Sequence, residues 1–125
     1  MPLNLQDKKK SIGFSYAWNG LIEMVKKERN FRLHLAAAIV VVLAGLLTKL
    51  STVEWAIIFL AIGLVLVTET TNSAIEKLID YLKPEIHPSA KVIKDIAAGA
   101  VLIAAVTAFV IGCVLFIPKL YMLYF

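Results

Sequence analysis

Hydrophobic and polar positions divide the chain into four stretches. In the first, residues 8–27, Phe14, Ala17, Trp18, Leu21 and Val25 recur at three-four spacing, while Ser15, Asn19, Glu23, Lys26 and Lys27 lie opposite. That is the period of an amphipathic helix. Lysines on one side with Trp and Phe on the other suit a helix lying in a membrane surface, although packing on other helices would give the same pattern. In the second stretch, 30–49, E-R-N-F-R-L-H-L at 28–35 leads into an apolar run to Leu47, so that the candidate span reaches from Leu33 to Thr48. It is shorter than the ~20 residues a span requires, with Arg32 and Lys49 placed to snorkel and lengthen it. The third, 54–82, is apolar from Trp55 to Val67, and its helical pattern runs on through Thr68 to Asp80 as a polar extension. Lys83-Pro84 marks its stop, since a residue before proline disfavours the helical region. The fourth, 89–118, follows a two-proline loop, with Ser89 as its expected N-cap and Pro118 as its expected end. From Ile96 to Ile117 it carries no charge over 22 residues, enough to cross a bilayer. The small residues Ala97, Ala98, Gly99 and Ala100 allow close helix approach there. The pattern predicts an all-α integral membrane protein with three transmembrane helices and an N-terminal amphipathic surface helix, in one domain covering residues 1–125.

Composition agrees with the pattern and narrows the class. The chain has 125 residues and is 60% hydrophobic, with a mean hydropathy of +0.82, well above a soluble domain. The lone Cys113 excludes an intrachain disulfide and a cysteine-based zinc site. A net charge of +4 would suggest nucleic acid in a soluble protein. Here the basic residues flank apolar runs, so they set topology and touch anionic membrane lipids, and no nucleic-acid partner is expected. No cleavable signal peptide is evident. Eleven lysines and arginines precede the first span or lie between the second and third, against Lys49 and Lys119 on the other side. The positive-inside rule then places the N-terminus in the cytoplasm and the C-terminus outside, in a multi-pass protein of the cell membrane.

Charge also singles out the extension of the third stretch. Glu69, Asn72, Glu76 and Asp80 are spaced by three, four and four, which on a helix confines them to an arc of about 80°. A carboxylate at the mouth of a hydrocarbon core is costly unless it faces protein, water or a metal, which makes it a functional candidate. Glu28, Glu85, His87, Lys91, Lys94 and Asp95 converge on the same cytoplasmic side. Acids with lysines at such a mouth suit a divalent cation and a polyphosphate, because Mg²⁺ prefers one or two carboxylates plus phosphate oxygens. No P-loop, dinucleotide fingerprint or protein-kinase catalytic loop is present. A polar tip where helices salt-bridge, with Asp80 paired to Lys83, is the plain structural alternative.

In combination these residues resemble a known family. E-x-x-N-x-x-x-E-x-x-x-D, followed by H-P-x-A-K-x-x-K-D-x-A-A-G-A-V-L and preceded by E-R-N-F-R-x-H-L, is similar to the small bacterial diacylglycerol kinase and undecaprenol kinase family. The resemblance runs from about Phe14 to Leu120. It implies an integral-membrane kinase that moves the γ-phosphoryl of ATP to a lipid hydroxyl. It also implies a homotrimeric helical bundle with sites near subunit boundaries at the cytoplasmic interface. By position, Glu69 matches the family's general base beside the lipid hydroxyl, a role that suits a carboxylate at an apolar boundary. Glu28 and Glu76 match the acids that hold the divalent ion on ATP, and Asn72 a residue fixing that geometry. Lys94 and Asp95 match nucleotide contacts, as do Tyr16 and the Glu85 to His87 loop.

Three departures from the diacylglycerol-specific pattern point to the Gram-positive undecaprenol kinase branch. Ala98 stands where that pattern carries a serine near the lipid, the loop reads H-P, and E-R-N-F replaces an alanine-rich run. The resemblance therefore implies an ATP- and Mg²⁺-dependent kinase of undecaprenol, with diacylglycerol as the alternative acceptor. A proton relay or small transporter using Glu69 and Asp95 is the non-enzyme alternative. It would need ionisable groups across the membrane depth, which the fourth stretch lacks.

Overall fold

A computed structural model describes residues 13–125, all of whose regular structure is helical. Four helices follow in order: α1 Gly13–Lys27, α2 Arg29–Thr48, α3 Thr52–Leu82 and α4 Pro88–Tyr124. The first residues of the expected surface helix, 8–12, lie outside the described ones. The last three helices are long and apolar enough to cross a membrane. The packing of α3 on α4 is the most extensive contact, and α2 leans on both.

Glu28 separates α1 from α2 with an extended backbone. This break leaves carbonyls at the end of α1 without helical donors. Arg32, one turn into α2, supplies them: its Nη1 donates to the oxygens of Val25 (2.9 Å) and Lys26 (3.1 Å). The arginine expected to lengthen the span thus closes the preceding helix instead. Along α1, Met24 is buried, while Phe14, Trp18, Leu21 and Val25 are exposed.

At the other end of α2, Lys49 adopts the left-handed conformation, and its N–H donates to the carbonyl of Gly45, a standard helix stop. Ser51 and Glu54 then form a reciprocal capping box at the start of α3, satisfying two donors that would otherwise be orphaned. Lys119 of α4 reaches Glu54 at 3.1 Å and ties these two ends together. Gly45 is buried where the ring of Trp55 crosses it.

The buried side of α3 runs through Ile58, Ala61 and Val65 to Glu69, Asn72 and Ser73. These positions follow three-four spacing, so one face of one helix changes from apolar to polar at Glu69. On α4 the buried residues are Ala90, Ala97 and Ala104, a seven-residue repeat of small side chains that lets the helices approach closely. Close approach uses Ala97 rather than Gly99, which has open space where a Cβ would sit.

Two helix ends differ from the sequence reading. The cap of α4 is His87, whose Nδ1 accepts from the Ser89 N–H at 3.1 Å, so Ser89 lies inside the helix. Pro88 takes the first helical position, where its missing N–H costs nothing. At the far end α4 continues through Pro118 to Tyr124. Proline removes one backbone hydrogen bond, but membrane helices tolerate that loss, and the Lys119–Glu54 pair holds the following turn against α3.

Candidate active site

The centre of the polar face is Glu69, 4% exposed and carried by α3 at the level where its buried stripe loses hydrocarbon. A buried carboxylate needs a partner. The imidazole of His34 on α2 supplies one, with Nε2 3.7 Å from Glu69 Oε2. His34 lies three residues beyond the buried Phe31 and so follows the inward stripe of α2.

One turn further along α3, Asn72 donates through Nδ2 to Glu76 Oε1 at 3.4 Å. Its Oδ1 is buried without a hydrogen-bond partner among the described residues. Such an atom is costly to leave unpaired, and beside a carboxylate it is a ready acceptor for a cation or a ligand N–H or O–H. Glu28 approaches the same helix from the α1–α2 joint. Its Oε1 accepts from Ser73 Oγ and from Lys77 Nζ, both at 2.9 Å. Ser73 and Lys77 stack one turn apart, so one carboxylate oxygen is gripped by two donors of α3. Hydrogen bonding from Lys77 first, and from Ser73 next, holds the Glu28 carboxyl below its ordinary value.

Glu28, Asn72 and Glu76 offer the hard oxygen donors that suit Mg²⁺. Among the described residues no three His, Cys, Asp or Glu side chains form a protein-only metal cage. A pair of carboxylates that leaves positions for phosphate oxygens needs no such cage.

The other expected site residues are placed as follows. Lys94 forms an ion pair with Asp80, so the partner of Asp80 is the α4 lysine rather than Lys83. Leu82 ends α3, and Lys83 is the cap beyond it, near Glu85 at 4.0 Å. Asp95 is bound by Lys91 at 2.6 Å, one turn earlier. Glu85 and His87 lie in the exposed loop, and His87 has the capping role described above. Tyr16 is half-buried on α1, and Ala98 is exposed on α4 next to the buried Ala97. The structure thus gathers Glu28, Glu69, Asn72 and Glu76 around one face of α3, and pairs Lys94 and Asp95 with neighbours at the α4 end.

Sequence reasoning passed over three participants. His34 stood in the E-R-N-F-R-L-H-L motif, and its spacing from Phe31, Ala38 and Gly45 marks the inward face of α2. Ser73 and Lys77 gave no local signal, because their partner Glu28 is 45 and 49 residues away.

Comparison with known proteins identifies the family. The family described as prokaryotic diacylglycerol kinase matches residues 15–116. An undecaprenol kinase of Bacillus subtilis is 47% identical over 107 residues, covering 86% of this chain and 87% of that protein. A diacylglycerol kinase of Synechocystis is 37% identical, over 87% of this chain and 63% of that protein. The diacylglycerol kinase of Escherichia coli K12 is 30% identical, over 80% of this chain and 82% of its own length.

Proposed function

This chain belongs to the prokaryotic diacylglycerol kinase family, and from that premise we propose that it transfers the γ-phosphoryl group of ATP to undecaprenol, giving undecaprenyl phosphate. It is a lipid kinase, a phosphotransferase with an alcohol acceptor, built on three membrane-spanning helices. Undecaprenol is favoured by the relative that shares 47% of its residues and carries that substrate in its name. Diacylglycerol, giving phosphatidic acid, is the second reading, favoured by the names of the relatives at 37% and 30% identity. A relay or transport role is set aside, because α4 carries no charge from Ile96 to Ile117.

The observation that carries the mechanism is the burial of Glu69 where the inward face of α3 turns polar. A lipid alcohol brings one hydroxyl to that level while its hydrocarbon remains in the membrane. Glu69 takes the hydroxyl proton as the oxygen bonds to the γ-phosphorus and the bond to the bridging oxygen of ADP breaks. Catalysis of this kind is mostly positioning and charge neutralisation. Asn72 ties Glu76 into the same face through its amide, so the base and the nucleotide-binding acid share one rigid helix. Glu28 and Glu76 would hold Mg²⁺ on ATP, which supplies neutralisation of the phosphate charge. Lys94, Asp95, Tyr16, Glu85 and His87 serve the nucleotide, and Ala98 leaves room beside the lipid.

Residues 1–125 act as one membrane kinase domain. The N-terminus and the loop from Lys83 to His87 face the cytoplasm and the C-terminus faces outside, as the basic residues require. The exposed face of Phe14, Trp18, Leu21 and Val25 lies in the headgroup region. Three copies assemble, with sites near subunit boundaries. A competition assay tests the substrate: labelled ATP is offered undecaprenol and diacylglycerol in one mixed micelle. Preferential label in the isoprenoid product is expected, and preferential label in phosphatidic acid would reverse the assignment.

A further inference from the structure

An apolar cleft of about 450 Å³ lies between α2, α3 and α4, lined by residues such as Val41, Ile62, Val65, Phe109 and Phe116. Among its lining residues only His34 brings a ring nitrogen. The Nε2 of the same imidazole lies 3.7 Å from Glu69 Oε2. His34 therefore stands where the hydrocarbon-lined space ends and the buried carboxylate begins. Its side chain is 28% exposed against 5% for that of Glu69, so the imidazole is the more accessible of the two.

Among the described residues, the ion-pair partner of the Glu69 carboxylate is His34, reaching it from a different helix. A glutamate has three rotatable bonds, and a base that swings among rotamers spends most of its time misaligned with the proton it must accept. The approach at 3.7 Å is an electrostatic contact rather than a saturated hydrogen bond, so it orients the carboxylate and leaves its oxygens available.

We propose that His34 is a positioning residue of the phosphoryl transfer: from α2, at the head of the apolar cleft, it holds the Glu69 carboxylate in the orientation that receives the acceptor hydroxyl. This role rests on Glu69 being the base of the reaction proposed above. His34 acts through Glu69 and exchanges no proton with the substrate itself.

The test compares full-length wild type, His34→Ala, His34→Gln and Glu69→Gln in mixed micelles, with undecaprenol and Mg-ATP as substrates. His34→Ala is expected to lower kcat by roughly 10- to 100-fold, the scale of a misoriented catalytic group. Its KM for ATP should stay within about twofold of wild type, because the nucleotide residues are intact. His34→Gln, which keeps a polar N–H group in a side chain of similar reach, should recover a substantial part of the loss. If His34→Ala does not assemble, His34→Leu replaces it as the variant without a donor. A wild-type kcat in the donor-free variant overturns the proposal. So does an equal loss in the Gln and Ala variants accompanied by weakened ATP binding and a lowered melting temperature, since that pattern marks a structural role. A wild-type chain that phosphorylates no lipid alcohol, or full activity in Glu69→Gln, overturns the assignment of Glu69 instead.

Discussion

Lys77 Nζ lies 2.9 Å from Glu28 Oε1, so a lysine midway along the polar end of α3 grips the residue that joins α1 to α2. The contact decides where the N-terminal helix hangs. It also keeps a carboxylate ionised beside the polar face of α3, and hydrogen bonds from Lys77 and then Ser73 lower the Glu28 carboxyl from its ordinary 4.5.

Because the folded value lies below the unfolded one, the unfolded chain binds more protons in acid. The stabilisation from Glu28 is therefore fully present above about pH 4.5 and is lost as pH falls through the lower folded value. Wild type should melt at a higher temperature than Glu28→Gln near neutral pH, and the gap should close on acidification. Thermal unfolding in detergent at a series of pH values measures it. A gap that stays constant into strong acid would contradict the linkage.

Glu69 and Glu76 share a helix face but should fail differently. Glu69→Gln keeps shape and, with Glu69 as the proposed base, removes the proton acceptor, so kcat should fall by roughly 100-fold or more while ATP binding survives. In the role proposed for it, Glu76→Gln removes a charged ligand of the metal-nucleotide. A loss of about 1.5–3 kcal/mol corresponds to an increase of about 10- to 150-fold in the KM for Mg-ATP. Steady-state kinetics with ATP and lipid varied separately distinguish the two patterns. Identical effects would argue against divided roles.

How much could be read from sequence depended on whether the partner was local. The α3 face was legible because Glu69, Asn72 and Glu76 are related by helical period alone. The membrane class was legible because the apolar run from Ile96 to Ile117 has few alternatives. Tertiary partners were not. Lys94 rather than Lys83 binds Asp80 because α4 returns alongside α3, which no local spacing encodes. Arg32 turns back to the carbonyls of Val25 and Lys26 because Glu28 breaks the helix, and no proline or glycine marks that break. Pro118 carried a strong local stop signal that the Glu54–Lys119 pair offsets from another helix.

Gly45 shows why a glycine occupies the inward face of α2. A Cβ there would lie 2.7 Å from Cη2 of Trp55 and 2.9 Å from Cδ1 of Leu50. Trp55 is also stacked on Phe59 with centroids 5.5 Å apart, so its indole cannot yield without disturbing a second ring. Gly45→Ala should destabilise by about 1–3 kcal/mol, the range for overpacking. Combining it with Trp55→Leu should give less than the sum of the two single losses, because the clash and its cause are removed together. Denaturant unfolding of the four variants tests this, and strict additivity would mean that the ring had already moved aside.

Asp80 offers a test of Lys94 that does not touch Lys94. The two form an ion pair between the C-terminal end of α3 and the N-terminal end of α4. Both side chains are more than a third exposed, so the pair contributes little to stability, in the range of about 0–1 kcal/mol. If Lys94 binds a phosphate, it must exchange Asp80 for that phosphate, and the carboxylate competes with the nucleotide. Asp80→Asn should therefore leave the melting temperature nearly unchanged while lowering the KM for ATP by up to about fivefold, the equivalent of about 1 kcal/mol. Lys94→Met should raise the same KM, and adding Asp80→Asn to it should bring no further gain. A lowered KM in the Asp80→Asn, Lys94→Met double variant would mean that Asp80 opposes ATP through its own charge, independently of Lys94.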